Sequence, residues 1–428
     1  YCSRKFFSEE YMPTVFRKLG ASENYTRKVV LRSSYIFEDL VIDREVMKKA
    51  IQASLRRLPM LRSSIKQGIN GSYFKELTRE FTNIEYVELE SKDDWRLQIE
   101  KPYKVFDGKD GGFLWFVSFL HCPKQPEHTV VLLEISHAIA DNFACHQLLD
   151  TLISYYSTFS KGAVYNPEGE EFKPLNFPPT FEGALFATGI PDNYYQDSKK
   201  SAKQFLQDFP SFKPRAPFHK IGKNTSHEGQ FLYYKEGSQE HLEKTIKFLK
   251  TKNTNLSSLV FASCAVALCS MTEDPINQKQ LSFLNTFSLR GAYPTEFHLG
   301  AFGEAYSNLS FKVDQENCLL DVAAAMNKGL EERKKRHTYS TDVFLQLELT
   351  ATESDSSPHS FIYDLSLSNF GKYPFSLEFE TVDKKVKLLN YFSTSSSYGD
   401  QIAPYYMYFS TVSGWAINIW GLKDEKNK

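Results

Sequence analysis

The stretch 130–145, VVLLEISHAIADNFAC, holds the side chains of this chain best suited to chemistry. An apolar, β-branched run over 129–135 reads as a buried strand. It stops at Ser136-His137, and Asp141-Asn142 opens a helical pattern over 143–156. A histidine released at the end of a buried strand is held by a rigid scaffold and open to a cleft. Its ordinary pKa of about 6.5 lets small environmental effects set it up as a base near neutral pH. His137 is therefore the candidate general base. Asp141, four residues on, has three readings: a second catalytic carboxylate, a metal ligand beside His137, or a brace for the loop. The metal reading is poorly served, because His-x-x-x-Asp supplies two ligands and His146 is out of phase for a third on a helix.

A second polar cluster, Ser368-Asn369-Phe370-Gly371, follows an alternating strand over 361–367. Asn and Gly favour turns, and a turn explains these residues by itself. GxGxxG and Walker-type phosphate loops are absent from the sequence. The charge run 331–336 ends a helix, where cations complement the dipole, and reads as a solvated face.

The elements that must position these groups fall into two similar halves. In the first, strands over 27–37, 73–77, 84–89, 114–120 and 129–135 alternate with helices over 44–57 and 143–156. Asp43 is the expected N-cap of the 44–57 helix, and Pro59 stops it. From 161 to 229 prolines recur among aromatics and charges with no long apolar period, which marks a crossover with one short helix at 198–208. The second half restarts with a strand over 230–234 and helices over 239–250 and 256–271. A strand over 281–287 follows, then a glycine-punctuated stretch over 300–306, a strand over 308–313, a helix over 319–337 and strands over 386–392, 405–412 and 415–420. This is an α+β pattern, arranged as a two-fold repeat. The expected divisions are 1–160, 161–229 and 230–428.

Composition excludes several classes. The formal net charge is −1, so no global field draws nucleic acid. The aromatic share, 15% with 35 Phe, suits large apolar cores or an apolar tunnel. No run approaches the roughly 20 apolar residues that span a bilayer. Phe6, Phe7, Tyr11, Met12, Val15 and Phe16 offer either an amphipathic face for peripheral membrane contact or, more simply, residues that dock on the core. The six cysteines show no CxxC pair or disulfide framework. Sequons at Asn255 and Asn308 fall in or beside core-like segments, so a reducing, intracellular compartment is expected.

The pattern His137-x-x-x-Asp141 in this setting resembles the active-site motif of CoA-dependent acyltransferases built like chloramphenicol acetyltransferase. Ser368-Asn369-x-Gly371 resembles a motif of the fungal alcohol acetyltransferases, a family that includes N-acetylating members. Further landmarks lie in the same order: Arg17-x-x-Gly20, AIQASLRRLPMLRSSI, and the closing hairpin FSTVSGWAINIWGL. The resemblance spans nearly the whole chain. It implies two chloramphenicol-acetyltransferase-like subdomains with the active-site tunnel between them, acetyl-CoA as co-substrate, an apolar alcohol or amine acceptor, no metal, and a monomer. His137 would be the general base and Asp141 a structural support held through an arginine, for which Arg290 is the candidate. Ser368 or Asn369 would hydrogen-bond the oxyanion or shape the tunnel. Two positions depart from the family pattern: Ser136 stands where many members have His, and Asn142 where they usually have Gly. Asn tolerates the left-handed backbone that Gly often supplies. These departures motivate a second reading, a non-catalytic binding protein of the same fold; a metal-dependent hydrolase is the third.

Overall fold

A computed structural model describes residues 15–27, 29–104, 106, 111–180, 183, 196, 200, 230–270, 280–288, 304–312, 318–335, 365–396, 405–412 and 414–422. In chain order the elements are β1 (Val15–Lys18), α1 (Ala21–Thr26), β2 (Val30–Glu38), α2 (Arg44–Arg57), β3 (Ser63–Gly68), β4 (Gly71–Glu76), β5 (Ile84–Glu88), α3 (Trp95–Ile99), β6 (Trp115–His121), β7 (His128–Ser136) and α4 (Asn142–Ser160). Then come β8 (Gln230–Ser238), α5 (Gln239–Thr251), α6 (Leu256–Ser270), β9 (Gln280–Ser288), β10 (Glu304–Lys312), α7 (Leu319–Lys335), β11 (Leu365–Lys372), β12 (Glu378–Glu380), β13 (Lys385–Ser395), β14 (Tyr405–Thr411) and β15 (Gly414–Leu422).

The chain is α+β and forms two compact units, each built on a mixed sheet with helices against it. The first unit takes residues 1–188, 290–303 and 373–396. Its main sheet runs β12-β13-β2-β7-β6-β5, antiparallel throughout except for the β5–β6 pair. A smaller sheet, β1-β4-β3, lies in the same unit. The two central strands are buried along most of their length, which is why β7 reads as an unbroken apolar run instead of an alternating one. Trp115, Tyr35, Phe37 and Phe119 are the large side chains at the centre of this core. Helix α2 has the expected bounds: Asp43 Oδ1 accepts from the amides of Glu45 and Val46 at 2.9 and 3.0 Å, satisfying two of the first-turn donors.

Strands β12 and β13, late in the chain, belong to the first unit's sheet, where β13 pairs antiparallel with β2 from Lys387↔Glu38 to Ser395↔Leu31. Its burial changes along its length. Val386 and Leu388 alternate with exposed lysines, and from Tyr391 onward every residue is buried.

The second unit takes 189–289, 304–372 and 397–428, with the sheet order β10-β9-β11-β14-β15-β8. Strand β11 is parallel to both neighbours, β9 and β14, and the remaining pairs are antiparallel. Phe261 and Ala265 of α6 pack with Val322 and Met326 of α7, Leu367 and Phe409. Cys264 sits in this core, and burial pushes its thiol up to about 12, so it behaves as a small hydrophobe. Strand β10 begins at Glu304, inside the stretch read as glycine-punctuated, because it pairs with β9 continuously from Glu304↔Ser288 to Lys312↔Gln280.

Most of the 161–229 crossover, including all but Lys200 of its expected helix, lies outside the described residues, as do Phe6, Phe7, Tyr11 and Met12. Val15 and Phe16 are in strand β1, where Phe16 stacks on Phe177 with ring centroids 4.2 Å apart. Phe16 therefore docks on its own unit. Among the described residues no helix is long and apolar enough to cross a membrane.

Candidate active site

His137 is delivered by the end of β7. Ser136, the last strand residue, pairs with Val30 of β2, and the His137 amide donates to the Val29 carbonyl at 2.8 Å. The chain then turns through 137–139 and enters α4. His137 is buried, with 5% of its surface exposed. Its Nδ1 lies 2.9 Å from the Ala140 carbonyl oxygen. A carbonyl can only accept, so Nδ1 carries a proton, and in the neutral ring the lone pair is on Nε2. That tautomer is the one a general base needs when the reacting proton approaches Nε2.

Asp141 is the N-cap of α4. Its Oδ1 accepts from the Ala144 amide at 2.7 Å, and the residue is 1% exposed. A carboxylate at a helix N-terminus meets both unpaired amides and the positive end of the dipole. This fixes the start of α4 at the end of the His137 loop. Arg290, its candidate partner, lies outside the described residues. Among the described residues no group of three His, Cys, Asp or Glu side chains is placed to hold a metal.

The residues on either side of the loop are tied to different elements. Ser136 Oγ donates to the Arg27 carbonyl at 3.3 Å. Asn142 is not left-handed: it is the first residue of α4, and the described non-glycine residues with positive φ are Asp39 and Asn253. The left-handed allowance expected for Asn142 is therefore not used. Its side chain accepts a hydrogen bond from Ser393 Oγ instead, at 2.7 Å. The Arg17–Gly20 landmark also reaches this loop. Arg17 forms a bidentate pair with Glu23 at 2.7 and 2.6 Å, and Glu23 also accepts from the Gly20 amide, closing the start of α1. At the far end of that helix, Thr26 Oγ1 donates to the His137 carbonyl at 3.3 Å.

Ser368 and Asn369 belong to the second unit. Ser368 is opposite Thr286 of β9, and the two hydroxyl oxygens are 2.5 Å apart. Asn369 Oδ1 accepts from the Gly371 amide at 2.8 Å, and its Nδ2 donates to Ser257 Oγ in the first turn of α6. Gly371 has φ +64, and the β11–β14 register shifts between Asn369 and Gly371. A bulge with a left-handed glycine is what this Asn-x-Gly encodes locally.

Three features escape a reading of the sequence. One is the hydroxyl chain from Ser33 through Ser393 to Asn142, whose serines look like ordinary strand residues. Another is the buried pair of Arg32 and Glu134, hidden in apolar strands. The third surrounds His146, which is no spare ligand: its Nδ1 is 2.8 Å from the Tyr35 hydroxyl, and the rings of Tyr35, Tyr373 and Tyr391 enclose it. Burial drives its pKa down to about 3. An i, i+4 step from Asn142 to His146 on a helix, and i, i+2 steps on the strands, are the signals that place these groups on facing surfaces.

In sequence, no family profile and no curated protein matches this chain. Solved structures do. A trichothecene 15-O-acetyltransferase from Fusarium sporotrichioides superposes with a TM-score of 0.72 at 11% identity, over 98% of this chain and 93% of its own. Polyketide synthase associated protein 5 from Mycobacterium tuberculosis gives 0.70 at 14% identity, over 96% and 94%. The first condensation domain of the CDA synthetase gives 0.67 at 11%, over 97% and 92%. The chain has the condensation-domain fold. The expected likeness is thus met at the level of the fold, across nearly the full length. The starter condensation domain of rhizomide synthetase, solved in complex with C8-CoA, has this fold too, with a TM-score of 0.62 at 11% identity over 95% and 89%.

Proposed function

We propose that this protein is an acyltransferase that moves an acetyl group from acetyl-CoA to the hydroxyl or amine of an apolar, lipid-like acceptor. The observation that carries the reading is the His137 Nδ1 bond to the Ala140 carbonyl, which leaves the Nε2 lone pair on a ring held at the end of a buried strand. Nε2 takes the acceptor's proton as its oxygen or nitrogen attacks the thioester carbonyl. The tetrahedral oxyanion collapses and expels the CoA thiolate, which recovers the proton from the His137 imidazolium. Such a base is worth roughly 10²–10⁴ in rate. Asp141 holds the loop, with Arg290 as its proposed ionic partner. Ser368 and Asn369 are the proposed oxyanion or wall residues, and the Ser368–Thr286 hydroxyl pair can pass one proton toward a ligand.

An alcohol is the first acceptor to test, and a sphingoid-like amine the second, because the same base serves both. The proposed setting is a reducing intracellular compartment, with the chain working as a monomer in two acyltransferase subdomains. The test is release of free CoA thiol from acetyl-CoA with alcohols and amino alcohols of increasing chain length. Buried methylenes contribute about 0.8 kcal/mol each, so efficiency should climb with length and then level off. A flat profile removes the apolar acceptor. Absence of thiol release with every acceptor favours the non-catalytic reading.

A further inference from the structure

Ser393, Ser33 and Asn142 form a directed hydrogen-bond chain. Asn142 Oδ1 can only accept, so the Ser393 hydroxyl spends its one proton there, across 2.7 Å. The Ser33 and Ser393 oxygens are 3.2 Å apart, so Ser33 must be the donor to Ser393. All three residues are buried, Asn142 at 4% and the serines at 1% or less. Ser33 and Ser393 are register partners on β2 and β13, and Ser33 is also opposite Leu133 of β7.

We infer that Asn142 is a positioning residue for His137. The loop 137–141 has two ends. One leaves β7, which is laddered to β2; the other enters α4 at Asn142, which is bonded through Ser393 to β13 and β2. Both ends are thereby referenced to the same strand, β2. The Ala140 carbonyl that sets the His137 tautomer lies inside this five-residue span, two residues before Asn142. A shift of the first turn of α4 moves that carbonyl and the Asp141 cap together. Replacing Asn142 with the expected glycine deletes the acceptor and unties the helix end. The side chain at this position thus supports the loop, which is a different role from the backbone freedom a glycine would supply.

The inference rests on His137 as the base, so its test needs a readout independent of turnover. Nitrogen-resolved NMR of the histidine rings, with the His137 signals assigned by their loss in His137→Gln, reports the tautomer directly. Wild type should show the Nδ1–H form. Asn142→Gly and Ser393→Ala should each shift it toward a mixture and lower turnover about ten- to a hundredfold at a near-constant Michaelis constant. Ser393→Thr, which keeps the hydroxyl, should retain the wild-type spectrum. If Asn142→Gly does not fold, Ser393→Ala breaks the same bond from the strand side. Unchanged His137 signals in both variants, with only a lower melting temperature, would overturn the inference. Should wild type transfer no acetyl group at all, the catalytic reading fails, while the tautomer spectrum still decides whether the chain of hydroxyls positions His137.

Discussion

Arg32 and Glu134 face each other across β2 and β7, 2.7 Å apart and almost wholly removed from water. Arg32 also donates to the carbonyls of Lys101 and Pro102 at 2.7 and 3.1 Å, and its guanidinium lies 4.0 Å from the centre of the Tyr103 ring. The same Glu134 oxygen accepts from the Lys104 amide. The pair therefore fastens the segment after α3 to the strand that carries His137.

Removing one partner of this pair leaves the other as a buried charge. Arg32→Met or Glu134→Gln should lower unfolding stability by about 3–5 kcal/mol, read from denaturant midpoints. Arg32→Met with Glu134→Leu should recover part of that loss. A single variant within about 1 kcal/mol of wild type would mean that the pair is not desolvated in solution.

His137→Ala should abolish acetyl transfer while the protein stays folded, as judged by its unfolding midpoint. Activity within about tenfold of wild type, against the roughly 10²–10⁴ of a lost base, removes His137 from the mechanism.

Asp141→Asn and Asp141→Ala separate the cap from the charge. Asn keeps an oxygen for the Ala144 amide, whereas Ala loses the cap, at about 1 kcal/mol. If Asn alone costs as much as about 3–5 kcal/mol, a buried ionic partner is present. A double-mutant cycle with Arg290→Ala then tests that partner; full additivity excludes it.

His146 makes stability depend on pH. Its folded pKa is near 3 and its unfolded value about 6.5, so between those limits only the unfolded state binds the proton. Stability is whole above pH 6.5 and declines as pH falls toward 3, by at most about 1.4 kcal/mol per pH unit. His146→Gln should flatten that decline in urea titrations across the window. An unchanged slope would assign it to other groups.

Ser368→Ala and Asn369→Ala should lower turnover more than they raise the Michaelis constant if either stabilises the oxyanion. Gly371→Ala adds a side chain at φ +64 and should cost about 1–2 kcal/mol in stability. Turnover lowered as much by Gly371→Ala as by Ser368→Ala and Asn369→Ala would reduce the cluster to a bulge.

Local features of this protein are legible in its sequence because they depend on neighbours in the chain. The bounds of α2 follow from Asp43 and Pro59, and the α6 helix from its apolar run. The junction where β7 ends and α4 begins sets His137 beside its Asp141 cap within five residues. The Asn369–Gly371 bulge is local too. Partners distant in the chain are another matter. Period-two alternation says which face of β13 is buried, yet carries no information on which strand lies beside it. Only the folded chain brings Ser393 to Ser33, 360 positions away, and to Asn142, 251 positions away. The same holds for Arg32 and Glu134, whose charges sit in strands that otherwise look apolar. A hydroxyl or a charge resists burial until a partner satisfies it, and that partner is chosen by sheet register, a property of the tertiary structure alone.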